Sequence, residues 1–225
     1  MKAMVLAAGK GERMLPLTLK TPKPLHTAGG KSLIQHHLEN LAANGFTDLV
    51  INHAWLGEQI EAAIGDGSDF GVKIAWSREE EPLETAGGIM KALPLLDPDA
   101  FVCVNADIWT DFAFRKLPVG SVDGDNLLAW LVLVENPSQH PYGDFILHEG
   151  KVAQPLGDEK AFTYSGIAVY HPALFAGVRQ GKQSVVPLLK QAMAEGKVGG
   201  ELYQGPWFDI GTPERLQELD NYLKK

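Results

Sequence analysis

The 225-residue chain is poor in several things, and each shortage excludes a class of protein. It has one cysteine, Cys103, so no intrachain disulfide can form. That cysteine sits in the apolar run Phe101-Val102-Cys103-Val104, which suits a buried, inert thiol better than a nucleophile. Long hydrophobic runs are missing too. The longest later run, Leu127 to Val134, is eight residues, far below the roughly 20 that a bilayer-spanning helix needs. The apolar start after Met1-Lys2 ends at Gly9 and gives way to a charged loop, unlike a signal peptide. Positive charge is in deficit, with 20 Lys and Arg against 28 Asp and Glu and a net charge of −8. Nucleic acid and anionic membrane are therefore disfavoured as partners. No linker, internal repeat or low-complexity stretch divides the chain. The expectation is a soluble cytoplasmic protein with one well-buried core, a monomer or a weak homo-oligomer.

Apolar spacing gives the element order. Met4-Val5-Leu6 reads as a buried strand. Leu33, Ile34, His37, Leu38 and Leu41 share one helical stripe within Lys31 to Asn44, and Gly45 stops it. Asp48 to Asn52 is a strand, Trp55 to Ile64 a helix, Val72 to Trp76 a strand, Leu83 to Leu93 a helix, and Phe101 to Asn105 a strand. This alternation predicts an α/β fold with a parallel sheet and helices on its faces. Beyond residue 120 the rhythm turns strand-rich, with strands at 127–134, 144–148, 162–170 and 198–203. Helices are expected at Val185 to Ala194 and from Pro213 to Leu223, the last with Thr212 as N-cap. A nucleotide-binding half at about 1–120 should fuse with a second half at about 121–225 in one sheet.

The informative stretch is Leu6 to Leu25, LAAGKGERMLPLTLKTPKPL. A loop this long is uncommon in a compact domain unless it has a function. Gly9 and Gly11 permit close backbone approach, so main-chain N–H groups can face phosphate oxygens while Arg13 and Lys23 supply charge. The Walker pattern is absent, and Met14 stands where a dinucleotide fingerprint needs its third glycine. The loop reads as one that wraps a nucleoside triphosphate. Ligands of open α/β sheets bind beyond the carboxyl ends of the strands, where Asp107 follows Phe101 to Asn105. A carboxylate there suits Mg²⁺, though a turn residue or helix cap would fit the position equally well.

Gly9-Lys10-Gly11-Glu12-Arg13, Pro16-Leu17-Thr18 and Pro22-Lys23-Pro24 together resemble the signature G-x-G-T-R-L-x-P-L-T-x-x-x-P-K-P of the sugar-1-phosphate nucleotidyltransferases. Glu12 replaces the usual Thr and Met14 the usual Leu. Trp207-Phe208-Asp209-Ile210-Gly211-Thr212-Pro213 is similar to the family's W-x-D-x-G-T-P segment. The resemblance covers almost the whole chain. It implies a Rossmann-like, GT-A-like domain with a mixed, mainly parallel central sheet and helices on both faces. The hexapeptide repeats of the C-terminal β-helix found in many relatives are not seen, so the catalytic domain alone is expected.

The resemblance also implies roles. UTP and a sugar 1-phosphate are the substrates and Mg²⁺ the cofactor, held by Asp107 and Asp209. Arg13 and Lys23 are catalytic, acting on the β/γ- and α-phosphates. Leu6, Ala7, Ala8, Gly9, Gly11, Glu12, Ala86 and Gly87 complete the nucleotide site, the last two within Glu84-Thr85-Ala86-Gly87-Gly88. Asn52 and His53 are weaker candidates. For the sugar, the residues are Asn105, Tyr142, Gly143, Glu149 and Ser165, with Thr163, Tyr164 and Gly166 beside Ser165. Where many relatives carry F-x-E-K-P this chain has Ala153-Gln154-Pro155, and Glu149 or Asp158-Glu159-Lys160 would have to compensate. The implied acceptor is N-acetylmuramic acid 1-phosphate. GTP with mannose or heptose 1-phosphate is the alternative, and a non-catalytic sugar-nucleotide sensor is the alternative of another class.

Overall fold

The structure, a computed structural model, describes residues 2–96, 98–124 and 126–225. β1 (Lys2–Leu6) leads through three single-turn 3₁₀ helices (Glu12–Met14, Leu17–Leu19, Lys23–Leu25) into a hairpin of β2 (Thr27–Ala28) and β3 (Lys31–Ser32). Then follow α1 (Leu33–Ala43), β4 (Asp48–His53), α2 (Gly57–Ile64), β5 (Lys73–Arg78), α3 (Glu84–Ala92) and β6 (Phe101–Asn105). The second half contains β7 (Ile108–Thr110), α4 (Val119–Gly124), β8 (Ala129–Val134), β9 (Ile146–His148), β10 (Lys151–Ala153) and β11 (Thr163–Tyr170). It ends with α5 (Val186–Ala194), β12 (Val198–Tyr203), β13 (Trp207–Asp209) and α6 (Pro213–Leu223).

Among the described residues a nine-stranded sheet has the order β5-β4-β1-β6-β11-β8-β12-β10-β9. β5, β4, β1 and β6 pair in parallel, as do β8 and β12, while β11 and β10 run against their neighbours. The expected α/β fold with a mixed, mainly parallel sheet is observed, and the sheet runs through both halves. Side chains alternate across it with the period of two that a pleated strand dictates. Ala3 and Val5 of β1 join Ile34, Leu38 and Leu41 of α1 and Ile60 and Ile64 of α2 on one face. Met4 joins Ala86 and Ile89 of α3 and Leu189 and Met193 of α5 on the other. Cys103 is buried in this second layer, where burial pushes its thiol well up.

Several boundaries shift for local reasons. The helix expected from Lys31 starts at Leu33, because Lys31–Ser32 pair with Thr27–Ala28 and the Ser32 hydroxyl caps α1 by accepting the Gln35 N–H at 3.3 Å. The helix expected from Trp55 starts at Gly57, after Leu56 takes a left-handed φ of 51°. The three-residue strands β7 and β13, unseen in the sequence, form their own two-stranded ladder, with Asp209 opposite Ile108. α6 begins at Pro213 as expected and packs Leu219 against Ala28, Leu33 and Ile210, which anchors β13 from behind.

His37 ties α1 to β7. Its Nε2–H donates to the Ile108 carbonyl at 2.8 Å, and burial lowers its pKa from 6.5 to about 4. Protonation would leave a charged ring in the core. The unfolded ring titrates near 6.5 and the folded one near 4, so this contribution to stability is complete above pH 6.5 and is lost as pH falls towards 4. His37→Gln cannot take up that proton. Urea unfolding at pH 7 and pH 4.5 should show the wild type losing about 2 kcal/mol more than the variant across this interval; equal losses would show that His37 is not the acid-sensitive group.

Candidate functional site

The carboxyl ends of β1, β4 and β6 are set by register. Leu6 lies opposite both Asn52 and Asn105. Just beyond it the chain enters a cleft of about 560 Å³. Its wall includes Leu6, Ala7, Ala8, Gly9, Lys10, Gly11, Glu12, Arg13 and Lys23 from the signature loop, Glu81, Glu84 and Thr85 from the approach to α3, and Asn105 and Asp107 from the end of β6. A second cleft of about 330 Å³ adjoins it, lined in part by Thr163, Tyr164, Ser165 and Gly166, by Gln139 and His140, and by Trp207 and Asp209. Arg13, Asn105 and Asp107 border both.

The loop keeps its shape because it is packed on itself. Gly11 has φ +66°, and a Cβ there would lie 2.8 Å from Thr18 Cγ2 and 3.3 Å from Lys23 Cβ, so only glycine fits. The Thr18 hydroxyl donates to the Gly11 carbonyl at 2.9 Å, and Met14 is fully buried beneath. Arg13 is thereby left exposed at the junction of the clefts, while Lys23, 8% exposed, crosses to Asp107 with Nζ 2.8 Å from Oδ2.

The two carboxylates come together through the β7–β13 ladder. Ile210 N–H donates to the Asp107 carbonyl at 2.8 Å, and Asp209 stands opposite Ile108. Asp209 forms an ion pair with Arg215 of α6. No cluster of three or more His, Cys, Asp or Glu able to hold a metal occurs among the described residues. Two carboxylates facing a space open to ligand phosphates fit Mg²⁺, which completes its shell with phosphate oxygens and water, and do not fit the closed nitrogen and sulfur sets of structural zinc.

The opposite wall of the first cleft depends on a buried polar link. Asn52 Oδ1 accepts the Ala7 N–H at 2.9 Å, and Asn52 Nδ2 donates to Glu79 Oε1 at 2.6 Å. Glu79 Oε2 accepts the Leu83 N–H at 2.9 Å, immediately before Glu84 and Thr85. One carboxylate thus holds the β1 exit and the entry to α3 together. Burial pushes its carboxyl pKa up, against these hydrogen bonds. Asn52 therefore holds the loop in place, whereas His53 is a structural residue, with Nε2 2.5 Å from Glu61 Oε1.

Along the second cleft, β11 changes register between Tyr164 and Ile167. Such a bulge re-aims side chains and backbone. Gly166 takes φ +83° there, with its missing Cβ only 2.9 Å from Asn105 Nδ2. Ser165 is buried, donating through Oγ to the Val132 carbonyl at 2.6 Å, so it shapes the cleft wall with its hydroxyl already used. Trp207 Nε1 donates to the Ser165 carbonyl at 2.9 Å.

Five of the named site residues stand elsewhere. Ala86 and Gly87 are buried inside α3, with their N–H groups donating to the Gln183 carbonyl at 2.9 and 3.2 Å; Thr85 and Glu84 line the cleft in their stead. Tyr142 is 87% exposed and Gly143 turns the chain beside it, both off the cleft wall. Glu149, a fifth, lies in the turn between β9 and β10 with φ 47°, away from both clefts. Nor does Asp158-Glu159-Lys160 compensate for the missing F-x-E-K-P segment at the cleft: Lys160 pairs with Glu135 at 3.2 Å and sits over the Phe162 ring. Sequence reasoning missed Glu79, Lys182, Arg215, Gln139 and His140. Arg215, in the first turn after the W-x-D-x-G-T-P segment, and His140, two residues before Tyr142-Gly143, had a neighbouring motif to signal them.

A model of the nucleotidyl transferase family matches residues 2–225. The chain is 48% identical to the N-acetylmuramate alpha-1-phosphate uridylyltransferase of Neisseria meningitidis serogroup B, covering 97% of this chain and 96% of that one. It is 33% identical to the Caulobacter vibrioides protein of the same name, with coverages of 94% and 92%. A Bacillus anthracis protein assigned as a glucose-1-phosphate thymidylyltransferase and crystallised with sucrose superposes with a TM-score of 0.87 at 20% identity, over 100% of this chain and 96% of its own. The last likeness speaks for the fold alone.

Glu79→Gln is isosteric, but it turns an amide NH₂ towards one of the two N–H donors that the carboxylate now accepts. An unsatisfied buried donor costs about 1–3 kcal/mol. Calorimetric titration and steady-state kinetics should show nucleotide affinity weakened about fivefold or more, with kcat changed less. A fall in kcat at unaltered nucleotide affinity would contradict the role of Glu79 in holding the two walls.

Proposed function

The chain belongs to the nucleotidyl transferase family, and from that premise we propose that it transfers UMP from UTP to N-acetylmuramic acid 1-phosphate, releasing pyrophosphate. The observation that carries this reading is the meeting of two clefts at Arg13, Asn105 and Asp107. One has the glycine-rich, cationic wall a triphosphate needs, and the other is lined by the amides of Asn105 and Gln139, by His140 and by the Thr163 to Gly166 bulge, a wall suited to a sugar. The name of the relative at 48% identity supports the uridylyl donor and the muramate acceptor.

The reaction asks little covalent chemistry of the protein. A phosphate monoester has a second pKa of about 6 and is largely dianionic at neutral pH, so its oxygen can attack the α-phosphorus without a general base. Positioning and charge neutralisation are what remain to be supplied. Arg13, exposed at the junction, receives the β- and γ-phosphates as pyrophosphate departs, with the Gly9 to Glu12 backbone around them. Lys23 delivers its ammonium to the α-phosphate from a buried position, and Asp107 keeps it aimed. Asn105 borders both clefts and orients the sugar phosphate towards the nucleotide. Asp107 and Asp209 would hold Mg²⁺, which supplies neutralisation of the phosphate charge that builds up as the two substrates approach. Among the described residues no helix is long and apolar enough to cross a membrane.

Two outcomes test this reading. Asp107→Asn and Asp209→Asn each remove charge while conserving volume, so turnover should fall by about a hundredfold or more with an unchanged circular dichroism spectrum, and EDTA should abolish wild-type turnover. Persistence of wild-type turnover in excess EDTA would sink the metal assignment. With UTP, N-acetylmuramic acid 1-phosphate should exceed glucose 1-phosphate and mannose 1-phosphate in kcat/KM. Faster turnover of mannose 1-phosphate with GTP would instead make the chain a guanylyltransferase.

A further inference from the structure

We propose that His140, steadied by Asp144, is the residue that selects an acceptor sugar bearing a carboxylate of its own. This inference rests on the muramate reading above and names the group that would enforce it. N-acetylmuramic acid differs from N-acetylglucosamine by a 3-O-lactyl group that ends in a carboxylate. A site that prefers it must find a cation for that second negative charge, separate from the groups that handle the phosphate.

Only two residues lining the sugar cleft can carry positive charge, among those described: Arg13 and His140. Arg13 also lines the nucleotide cleft and stands beside the two aspartates of the phosphate centre. His140 belongs to the other part of the wall, built by Pro137, Gln139 and His140 and facing Thr163 to Gly166. Its side chain is 43% exposed, so a ligand can reach it.

The segment that presents this ring is built rigidly. Asn136 Nδ2 donates to the Ala161 carbonyl at 2.9 Å and to the Pro141 carbonyl at 3.2 Å, while its Oδ1 accepts the Thr163 hydroxyl at 2.9 Å. The His140 N–H closes a turn onto the Pro137 carbonyl at 2.9 Å. Asp144 then spans the ring and the sugar wall. Its Oδ1 lies 3.1 Å from His140 Nε2, and its Oδ2 accepts the Tyr164 N–H at 2.8 Å. With Nε2 committed to Asp144, Nδ1 has no hydrogen-bond partner among the described residues. An imidazolium donates from both nitrogens, so Nδ1–H can meet a carboxylate oxygen while Nε2–H stays with Asp144. Such a charge-assisted bond is among the stronger ones a protein can offer a ligand.

Glu149, Asp158 and Glu159 lie off the cleft, and the carboxylate nearest this part of the wall, Asp144, is engaged by the His140 ring and the Tyr164 N–H. Gln139, beside His140, adds an amide that can share the contact without fixing its sign.

The test compares N-acetylmuramic acid 1-phosphate, its lactyl methyl ester and N-acetylglucosamine 1-phosphate as acceptors with UTP, for wild type, His140→Gln and His140→Lys. In the wild type the free acid should be preferred. His140→Gln should lower kcat/KM for the free acid by about 10- to 100-fold and for the other two acceptors by far less, so that the preference collapses. His140→Lys should recover part of it. The penalty of the methyl ester and that of His140→Gln should not add, since both remove one contact. Equal losses on all three acceptors would assign His140 a merely structural part and overturn the inference. A wild type indifferent to the lactyl group would overturn the muramate reading itself, and the inference with it.

Discussion

Parallel pairing of β1 between β4 and β6 is the constraint from which the rest of the site follows. Hydrogen bonding fixes register, and in a strand a slip of one residue turns every side chain to the other face. Here the register sets Leu6 opposite Asn52 on one side and Asn105 on the other. Asn52 then turns inward to hold the Ala7 N–H, and Asn105 borders both clefts. Apolar burial on both faces of β1, with Ala3, Met4 and Val5 all fully buried, makes any slip expensive, so the geometry at its carboxyl end inherits the stability of the core.

Charge is arranged against the grain of the whole molecule. A chain of net charge −8 repels a triphosphate at long range. The loop answers locally with Lys10, Arg13 and Lys23 on the cleft wall, and Arg215 and Lys182 approach from the other half of the chain. The aspartates do not stand alone within this field: Asp107 pairs with Lys23 and Asp209 with Arg215. Asp107 is thus held by a cation 84 residues away in the chain, and Asp209 by one six residues on. The short β7–β13 ladder brings the two pairs together, and the Leu219 contact of α6 braces that ladder from outside.

What the sequence disclosed, and what it withheld, divides along physical lines. Long elements with a clear period were legible: α1 by its stripe from Leu33 to Leu41, β6 by its apolar run, α6 by Thr212 and Pro213. β7 and β13 were not, because three residues are too few for a period of two to stand out. The signature loop was legible because a left-handed turn packed against Thr18 and Lys23 restricts residue choice to glycine at Gly11, and Leu6 to Arg13 with Lys23 line the first cleft. The link from Asn52 to Glu79 was invisible, since nothing in a sequence joins a strand end to a glutamate 27 residues away. Ala86 and Gly87 illustrate the opposite case. Small residues suggest room for a ligand, yet here they make room for the Gln183 strap, which takes up the first N–H groups of α3.

The sugar wall was the least legible part, and the reason is chemical. A triphosphate presents the same charge and shape to every member of a family, so the residues that meet it recur as a motif. An acceptor sugar varies, and its wall is assembled from a bulge, a turn and a loop whose individual residues carry no common pattern. Tyr142 and Gly143 matched a motif and stand outside the cleft, while His140, two residues earlier and outside that motif, lines it. The turn connects the two facts. Gly143 N–H folds back towards the His140 carbonyl at 3.4 Å, and Asp144 follows at once to meet the His140 ring. The Tyr-Gly pair therefore stands in the turn between His140 and Asp144, off the cleft wall. His140 lies on the cleft side of this turn and Tyr142 in solvent.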